Sequence, residues 1–175
     1  GTATVATEEH YRAIKVMANS FGYHAAPDDC YLGQRGLRTI GVRLRQHEKN
    51  ALKVAEWLSA RDEVARVMHP ALPSDPGHEL WKRDFEGSSG LFGVELVPAS
   101  KDAVMAMLDH YTLFGIGASW GGYESLVQTT YPGKLRTAHP WTSEGPTVRY
   151  HIGLEDPDDL IDDLTEGFAR YNAAR

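Results

Sequence analysis

The sequence has little or none of several features that would place it in a class of proteins at once. Cys30 is the single cysteine among 175 residues, so no disulfide can form within the chain, and a reducing, cytoplasmic setting is expected. No apolar run reaches the length of a membrane-spanning helix, and the first residues lack the basic segment and apolar core of a signal peptide. We therefore expect no membrane partner.

Basic residues and metal-binding motifs are also scarce. Lysine and arginine number 18 against 24 acidic residues, which gives a net charge of -6. Nucleic acids and anionic membranes both favour clustered positive charge, so neither is expected as a partner. The eight histidines show no ligand spacing such as His-Glu-x-x-His, and one cysteine cannot build a cysteine-rich zinc site. We expect no metal site, and no phosphate-binding loop or Gly-x-Ser-x-Gly motif is present.

Hydrophobic periodicity and turn residues predict alternating helices and strands. The pattern indicates an α/β chain of the α+β kind, with a small, mainly antiparallel sheet and helices on one face. Residues 127–146 are polar and rich in Pro and Gly, so they are predicted to form a loop. Long loops without secondary structure are often functional. Strands are predicted at 1–7, 64–68, 91–97, 114–118 and 147–152. The first predicted helix covers 8–21, and the second runs from Asp28 or Asp29 to 61 with a break near Gly36 or Gly41. Three more helices are predicted, one from Asp75-Pro76 to 85, one after Ser100 and one after Asp156.

Two glycines follow an aromatic residue in the stretch Ser119–Leu126, which reads Ser-Trp-Gly-Gly-Tyr-Glu-Ser-Leu. Glycine lets the backbone approach a ligand closely or take a positive φ, and Ser119 and the neighbouring amides can donate hydrogen bonds to an anion. The alternative is a glycine turn after a strand, with Trp120 packed in the core. The pattern leaves both interpretations open.

Arg149 lies in a predicted strand between two apolar residues, Val148 and Tyr150. A guanidinium in such a position needs a partner, because an unpaired buried charge is costly, and its planar fork matches a carboxylate. The partner is either a substrate carboxylate or a protein acid such as Glu124 or Glu155. The sequence pattern favours neither.

These stretches resemble the C-terminal part of the Cys/Met-metabolism family of pyridoxal-phosphate enzymes. The resemblance covers nearly the whole chain in consistent order, and the joint occurrence of several motifs makes it specific. Trp120 favours the β-lyase branch, since γ-lyase and γ-synthase relatives usually have a smaller apolar residue there. The matching motifs lie at residues 28–32, 35–39, 47–51, 69–73, 76–78, 119–126 and 148–156.

The resemblance implies a fold, a cofactor and a reaction. Residues 1–37 would form the tail of the large cofactor-binding domain and a linking helix, and residues 38–175 the C-terminal small domain. The whole enzyme would use pyridoxal 5'-phosphate to cleave a carbon–sulfur bond of an amino-acid thioether, converting cystathionine to homocysteine, pyruvate and ammonia. Arg149 would bind the substrate α-carboxylate, and Ser119 and Trp120 would line the same pocket. Glu124 and Ser125 are interpreted as structural.

The resemblance also implies that part of the active site lies outside this chain. The family's cofactor lysine precedes the segment that matches residues 1–7, and none of the six lysines here matches it. No catalytic or cofactor-binding residue is therefore assigned, and the 175 residues alone are expected to be inactive. The whole enzyme is expected to be a homotetramer, and the chain itself a dimer or a segment-exchanged oligomer formed through helix 8–21.

Other functions stay open at this stage. A γ-lyase, a γ-synthase or a cysteine desulfhydrase of the same family would use the same scaffold. A third alternative is a stand-alone interaction or structural domain that kept the fold and lost catalysis. A gene start just before Gly1 would favour that alternative, and the missing methionine disfavours it.

Overall fold

A computed structural model describes residues 3–175 of the chain. The chain divides into two units, one up to Gly41 and one from Val42 to Arg175. A functional boundary after residue 37 stays a prediction. None of the helices within residues 3–175 is long and apolar enough to cross a membrane.

The first unit is built on helix α1, Glu8–Phe21, which confirms the predicted range. The Thr7 hydroxyl accepts a hydrogen bond from the His10 amide at the N-terminus, and Gly22 ends the helix with a φ of 67°. Residues 3–6 form no strand, so the strand predicted at 1–7 is wrong for its described part. A strand needs a partner for its backbone groups, and no strand of the described sheet pairs with this segment.

Helix α2 runs without interruption from Pro27 to Ser59, so the predicted break near Gly36 or Gly41 is wrong. Each glycine costs about 1 kcal/mol of helix stability relative to alanine. Adding residues to a formed helix is favourable, so the long helical segments on both sides offset this cost. Proline fits the first turn because its missing N–H would have no helical partner there. Burial begins only at His47, so the second half of α2 supplies its core side chains.

The second unit contains a five-stranded sheet in the order β1-β2-β5-β4-β3. Three neighbouring pairs are antiparallel and β3–β4 is parallel, which confirms the mainly antiparallel sheet. The strands are β1 Val64–Met68, β2 Leu91–Leu96, β3 Gly115–Ile116, β4 Leu126–Thr130 and β5 Thr147–His151.

Strand β4 lies where the sequence predicted a loop at 127–146, and a short helix α5, Pro132–Leu135, follows it. Val127 is the only fully buried residue of β4, so the strand shows no apolar alternation. Pairing with β5 forms it instead, with Val127 opposite Tyr150. The predicted strand at 114–118 is reduced to Gly115–Ile116.

This unit contains three further helices, which are α3 His78–Asp84, α4 Lys101–Leu108 and α6 Pro157–Ala174. The caps of α4 and α6 are confirmed, since Ser100 and Asp156 accept hydrogen bonds from helix amides. Helix α3 starts two residues later than predicted. Asp75 is not its cap, because its carboxylate accepts from the Gly77 amide at 2.7 Å and forms a turn before the helix.

One core cluster joins the helices to the sheet. The predicted inward stripe of α6 is confirmed, and its members Leu160, Leu164, Phe168 and Tyr171 are fully buried. They share the cluster with β2 and β5, whose core residues alternate along each strand as the sequence predicted. The second half of α2 and helix α4 complete the cluster, with Val54, Leu58, Val104 and Met107.

Candidate functional site

Strand β5 carries Arg149 at the centre of the candidate site. Its neighbours Val148 and Tyr150 point into the core, so period-two alternation puts Arg149 on the other face. The guanidinium Nη2 donates to the carbonyl oxygens of Gly117 at 3.1 Å and Ser119 at 3.0 Å. These two bonds tie the arginine to the segment that connects β3 with β4.

Trp120 lies over this arginine. The Arg149 Cζ atom is 5.8 Å from the centre of the Trp120 ring, within the range of a cation–π contact. The interpretation of Trp120 as a core residue is wrong, because 61% of its surface is exposed. An exposed indole beside a guanidinium forms an amphipathic wall that a small organic anion can contact.

The charge of Arg149 has no acidic partner within residues 3–175. Neither Glu124 nor Glu155 forms the salt bridge that the sequence left open, and Glu155 bonds Ser125 instead. The Arg149 Nε atom is buried and forms no hydrogen bond with the described residues. The Nη1 atom bonds no described residue either, so the guanidinium retains donors and its charge for a ligand there, and its role as a substrate site stays a prediction.

Ser119 lies on the exposed side of the site and contributes its carbonyl oxygen to Arg149. The backbone amides of Ser119 and Trp120 donate no hydrogen bond to any atom of the described residues. They are thus available to an anion, as the sequence suggested for the amides of this stretch. The Gly121 amide is not available, since it donates to the His151 ring.

A network of buried polar groups fixes the base of this segment. Ser125 is fully buried; its amide and hydroxyl donate to the two carboxylate oxygens of Glu155 at 2.7 and 2.8 Å. The Ser125 hydroxyl also accepts from the Gly153 amide, and Asn50 of α2 donates to the carbonyl oxygens of Gly153 and Glu155. The structural interpretation of Ser125 agrees with these contacts.

Two buried histidines complete the surroundings of the site. His47 of α2 lies with Nδ1 2.8 Å from the Ile152 carbonyl oxygen, and its ring centre is 5.3 Å from that of His151. His151 reaches the opposite segment, with Nε2 3.2 Å from the Gly121 nitrogen and 3.1 Å from the Gly122 carbonyl oxygen. Burial lowers the pKa of His151, and the charges of His47 and Arg149 lower it further.

Acidification from neutral pH is expected to destabilise the second unit, because burial lowers the pKa of both His69 and His151 in the folded chain. Unfolding restores their ordinary proton affinity, so the unfolded chain binds more protons as the pH falls. Stability is complete above about pH 6.5 and decreases toward the folded-state pKa values by up to ~1.4 kcal/mol per pH unit for each histidine. Urea midpoints measured over a pH series test this, and a midpoint that rises on acidification contradicts it.

Sequence reasoning missed the residues that hold the site together. Asn50 and His151 were not assigned a role, and Glu155 was considered only as an acid partner of Arg149, although His151 shares a strand face with Arg149 by period-two spacing. That spacing was the available signal for His151. The contacts from α2 cross about a hundred positions of sequence, with Asn50 and Gly153 separated by 103, and no local pattern indicates such a pairing.

A cavity of the second unit is a separate feature. Its volume is about 370 Å³, and its lining includes Lys101, Tyr131, Trp141 and Pro146 but none of Arg149, Ser119 or Trp120. No group of three His, Cys, Asp or Glu side chains within residues 3–175 could hold a metal ion. The cation and indole of Arg149 and Trp120 therefore remain the candidate site.

The lysines do not offer a covalent site for a carbonyl cofactor. A lysine that forms an imine reacts as the neutral amine, which burial favours. All six lysines fall within residues 3–175, and every one is exposed: Lys15, Lys49, Lys53, Lys82, Lys101 and Lys134. The residues present fit the carboxylate end of an amino-acid site and do not fit a covalently held pyridoxal phosphate.

Known proteins are similar to this chain in sequence and in fold. Cystathionine β-lyase MetC of Escherichia coli K12 is 48% identical over 174 residues, covering 97% of this chain and 44% of the relative. A cystathionine β-lyase of Bordetella avium is 49% identical over 152 residues, covering 86% of this chain and 38% of that protein. A cystathionine γ-synthase from Xanthomonas oryzae pv. oryzae, solved with cystathionine, is 34% identical with a TM-score of 0.79, covering 97% of this chain and 45% of the other.

The fold and these matches define the class as pyridoxal-phosphate-dependent enzymes. The chain spans less than half the length of the curated relatives that it matches. A family model, that of the Cys/Met metabolism PLP-dependent enzymes, matches residues 1–169. The chain belongs to this family, as the resemblance predicted.

Proposed function

We propose that this chain forms the substrate-carboxylate end of the active site of a pyridoxal-phosphate-dependent carbon–sulfur β-lyase that acts on cystathionine. The observation that carries the proposal is Arg149, whose guanidinium is held by two carbonyl oxygens, lacks an acidic partner within residues 3–175 and lies 5.8 Å from the exposed Trp120 ring. The similarity to β-lyases at 48 and 49% identity supports the reaction class.

The role of this chain is to bind and orient the substrate. Arg149 donates to the α-carboxylate from the two N–H groups of Nη1, which bond no residue of the described chain, and the amides of Ser119 and Trp120 are available to the same group. The carbonyl oxygens of Gly117 and Ser119 hold the guanidinium, which lowers the entropy lost on binding. The net reaction of the whole enzyme consumes cystathionine and water and releases homocysteine, pyruvate and ammonia.

A γ-acting relative is the second candidate, and the similarity to a cystathionine γ-synthase at 34% identity favours it over unrelated functions. The two reactions break the carbon–sulfur bond on opposite sides of the thioether, so their products differ. β-Elimination of cystathionine gives pyruvate, whereas γ-elimination gives 2-oxobutyrate and cysteine. Trp120 is the residue of this chain that favours the β-lyase.

We also propose that the whole enzyme is a cytoplasmic homo-oligomer and that the chain self-associates through its first unit. Helix α1 has no buried residue, and its apolar side chains are 44–61% exposed at Tyr11, Ile14, Met17 and Phe21. Such side chains at helical spacing form a stripe that a second copy can cover.

A chimera tests the reaction directly. This chain replaces the matching C-terminal part of the E. coli cystathionine β-lyase, which supplies the upstream residues, and purified chimera is incubated with cystathionine. We expect pyruvate and homocysteine in equal amounts. Formation of 2-oxobutyrate and cysteine would replace the β-lyase proposal by the γ-lyase one.

The chimera needs a control for assembly. The unmodified E. coli enzyme gives the reference rate, and circular dichroism and sedimentation compare the two proteins. A chimera that has the secondary structure and oligomeric state of the reference but releases neither keto acid contradicts the enzymatic proposal. That result favours a non-catalytic domain.

A further inference from the structure

The His151 ring lies between a donor and an acceptor of the same turn. Its Nε2 atom is 3.2 Å from the Gly121 nitrogen and 3.1 Å from the Gly122 carbonyl oxygen. Gly121 has a φ of 83°, a conformation that glycine adopts without the strain other residues incur. The turn follows directly on Trp120, so the position of the indole over Arg149 depends on it.

One nitrogen cannot satisfy both partners in one protonation state. When Nε2 is protonated it donates to the Gly122 carbonyl oxygen, and the Gly121 amide loses its acceptor. When Nε2 is bare it accepts from the Gly121 amide, and its lone pair faces the Gly122 oxygen. The proton on this ring therefore selects which backbone group of the turn is held.

The charged or titratable groups around His151 lie on α2, on β5 and in the segment that follows β5. His47 of α2 is fixed with Nδ1 protonated, because Nδ1 must donate to the Ile152 carbonyl oxygen, and its Nε2 forms no hydrogen bond within residues 3–175. Arg149 on β5 disfavours a proton on His151, and Glu155 after β5 favours one. The cross-strand neighbours Leu91 on β2 and Leu126 on β4 are uncharged.

We propose that His151 is a positioning residue of the anion site: it holds the Gly121–Gly122 turn and thereby Trp120 over Arg149, and its protonation exchanges one backbone hydrogen bond for the other. Neutral His151 with a bare Nε2 keeps the Gly121 amide bonded. Protonation releases that amide and holds the turn through the Gly122 carbonyl oxygen instead, so Trp120 stays over Arg149 in both states. The inference that the turn controls anion affinity rests on the proposed carboxylate role of Arg149.

Coupling between the two sites works in both directions. A carboxylate bound to Arg149 offsets the positive charge that disfavours a proton on His151. Binding of the carboxylate therefore raises the pKa of His151, and protonation of His151 changes carboxylate affinity by the same factor. His47 also disfavours this proton, and Glu155 favours it.

The first test follows the 175-residue chain by NMR between about pH 5 and pH 8, the range in which histidines titrate. We expect the Gly121 and Gly122 amides and the Trp120 indole N–H to shift with the midpoint of the His151 ring signals. Potassium acetate, compared with potassium chloride at the same ionic strength, is expected to raise that midpoint. If the Gly121, Gly122 and Trp120 signals do not change with the His151 titration, the positioning role of His151 is contradicted.

Two variants separate positioning from packing. In His151→Gln the amide group can contact the same backbone atoms without titrating, so the turn signals become independent of pH and acetate affinity is retained. In His151→Ala acetate binds roughly threefold to tenfold more weakly, the factor that corresponds to one lost hydrogen bond. The exposed His110→Gln is the matched control and keeps the wild-type pH response.

The outcomes distinguish this inference from the proposed function. Turn signals that follow His151 while acetate shifts no signal overturn the carboxylate role of Arg149 and leave the positioning of Trp120 standing. Acetate binding that is equally strong in wild type and His151→Ala overturns the inference alone. Whether the turn signals follow the His151 titration is measured on the wild-type chain, so that result stands even where His151→Ala fails to fold.

Discussion

Replacing Arg149 by methionine in the chimera is expected to lower kcat/KM for cystathionine by roughly two to four orders of magnitude. A hydrogen bond to a charged group contributes about 1.5–3 kcal/mol, and the guanidinium is proposed to form two with the α-carboxylate. Methionine keeps the length of the side chain and removes the charge and the donors. The loss should appear mainly as a higher KM, measured from initial rates of pyruvate release over a range of cystathionine concentrations.

Two further variants show whether geometry or charge is responsible. Arg149→Lys keeps the charge but replaces the planar fork by a single ammonium, so an intermediate loss is expected. Arg136→Met is the matched control, because Arg136 lies 5.6 Å from the Trp141 ring and touches none of the site residues. A wild-type kcat/KM in Arg149→Met, or equal losses in Arg149→Met and Arg136→Met, would contradict the carboxylate role.

Replacing Gly153 by alanine is expected to cause the largest loss of stability among single-methyl changes at the site. A Cβ atom there would meet the Tyr123 carbonyl oxygen, the Glu155 carboxylate and, at 2.8 Å, the Glu124 carbonyl carbon. The Tyr123 carbonyl cannot move freely because it accepts from the Leu154 amide at 2.9 Å. Overpacking against backbone costs about 1–3 kcal/mol or more, which lowers Tm by several degrees.

The same change should reach the anion site through the Ser125–Glu155 network. Shifting Gly153 breaks its hydrogen bond to the Ser125 hydroxyl and moves the segment that carries Trp120. Thermal unfolding and acetate titration of the chain measure both effects. Gly33→Ala is the control, since nothing lies within 4 Å of an added Cβ in that helix and a gain of about 1 kcal/mol is expected. Equal stability of Gly153→Ala and wild type would contradict the packing described here.

The elements that the sequence predicted well are those whose apolar residues repeat with one period. Helix α6 has its buried stripe at Leu160, Leu164, Phe168 and Tyr171, and β2 alternates between core and surface, so local pattern and tertiary burial agree. Strand β4 was not predicted because it has one fully buried residue, Val127, and therefore no apolar alternation. Its backbone partners come from β5, about twenty positions away in the sequence. The glycines of α2 suggested a break, and helix propagation overrode them.

The site shows the same division. Arg149 and Trp120 stand out in sequence, because a cation within an apolar strand and an aromatic beside two glycines are locally unusual. The residues that hold the site in place do not stand out in the sequence. Asn50 and His47 contact Gly153 and Ile152, which lie more than a hundred positions away. Without those contacts the sequence left a salt bridge to Glu155 open, and the structure shows that Ser125 occupies that carboxylate.

The central claim is that this chain carries the carboxylate end of the active site but not the cofactor lysine. Incubation of the 175-residue chain with pyridoxal phosphate, reduction with borohydride and measurement of the intact mass test it most directly. Because all six lysines are exposed, we expect no stoichiometric adduct and only weak, distributed labelling. Stoichiometric labelling of one lysine, with an imine absorbance band before reduction, would contradict the account and show that the chain holds the cofactor itself.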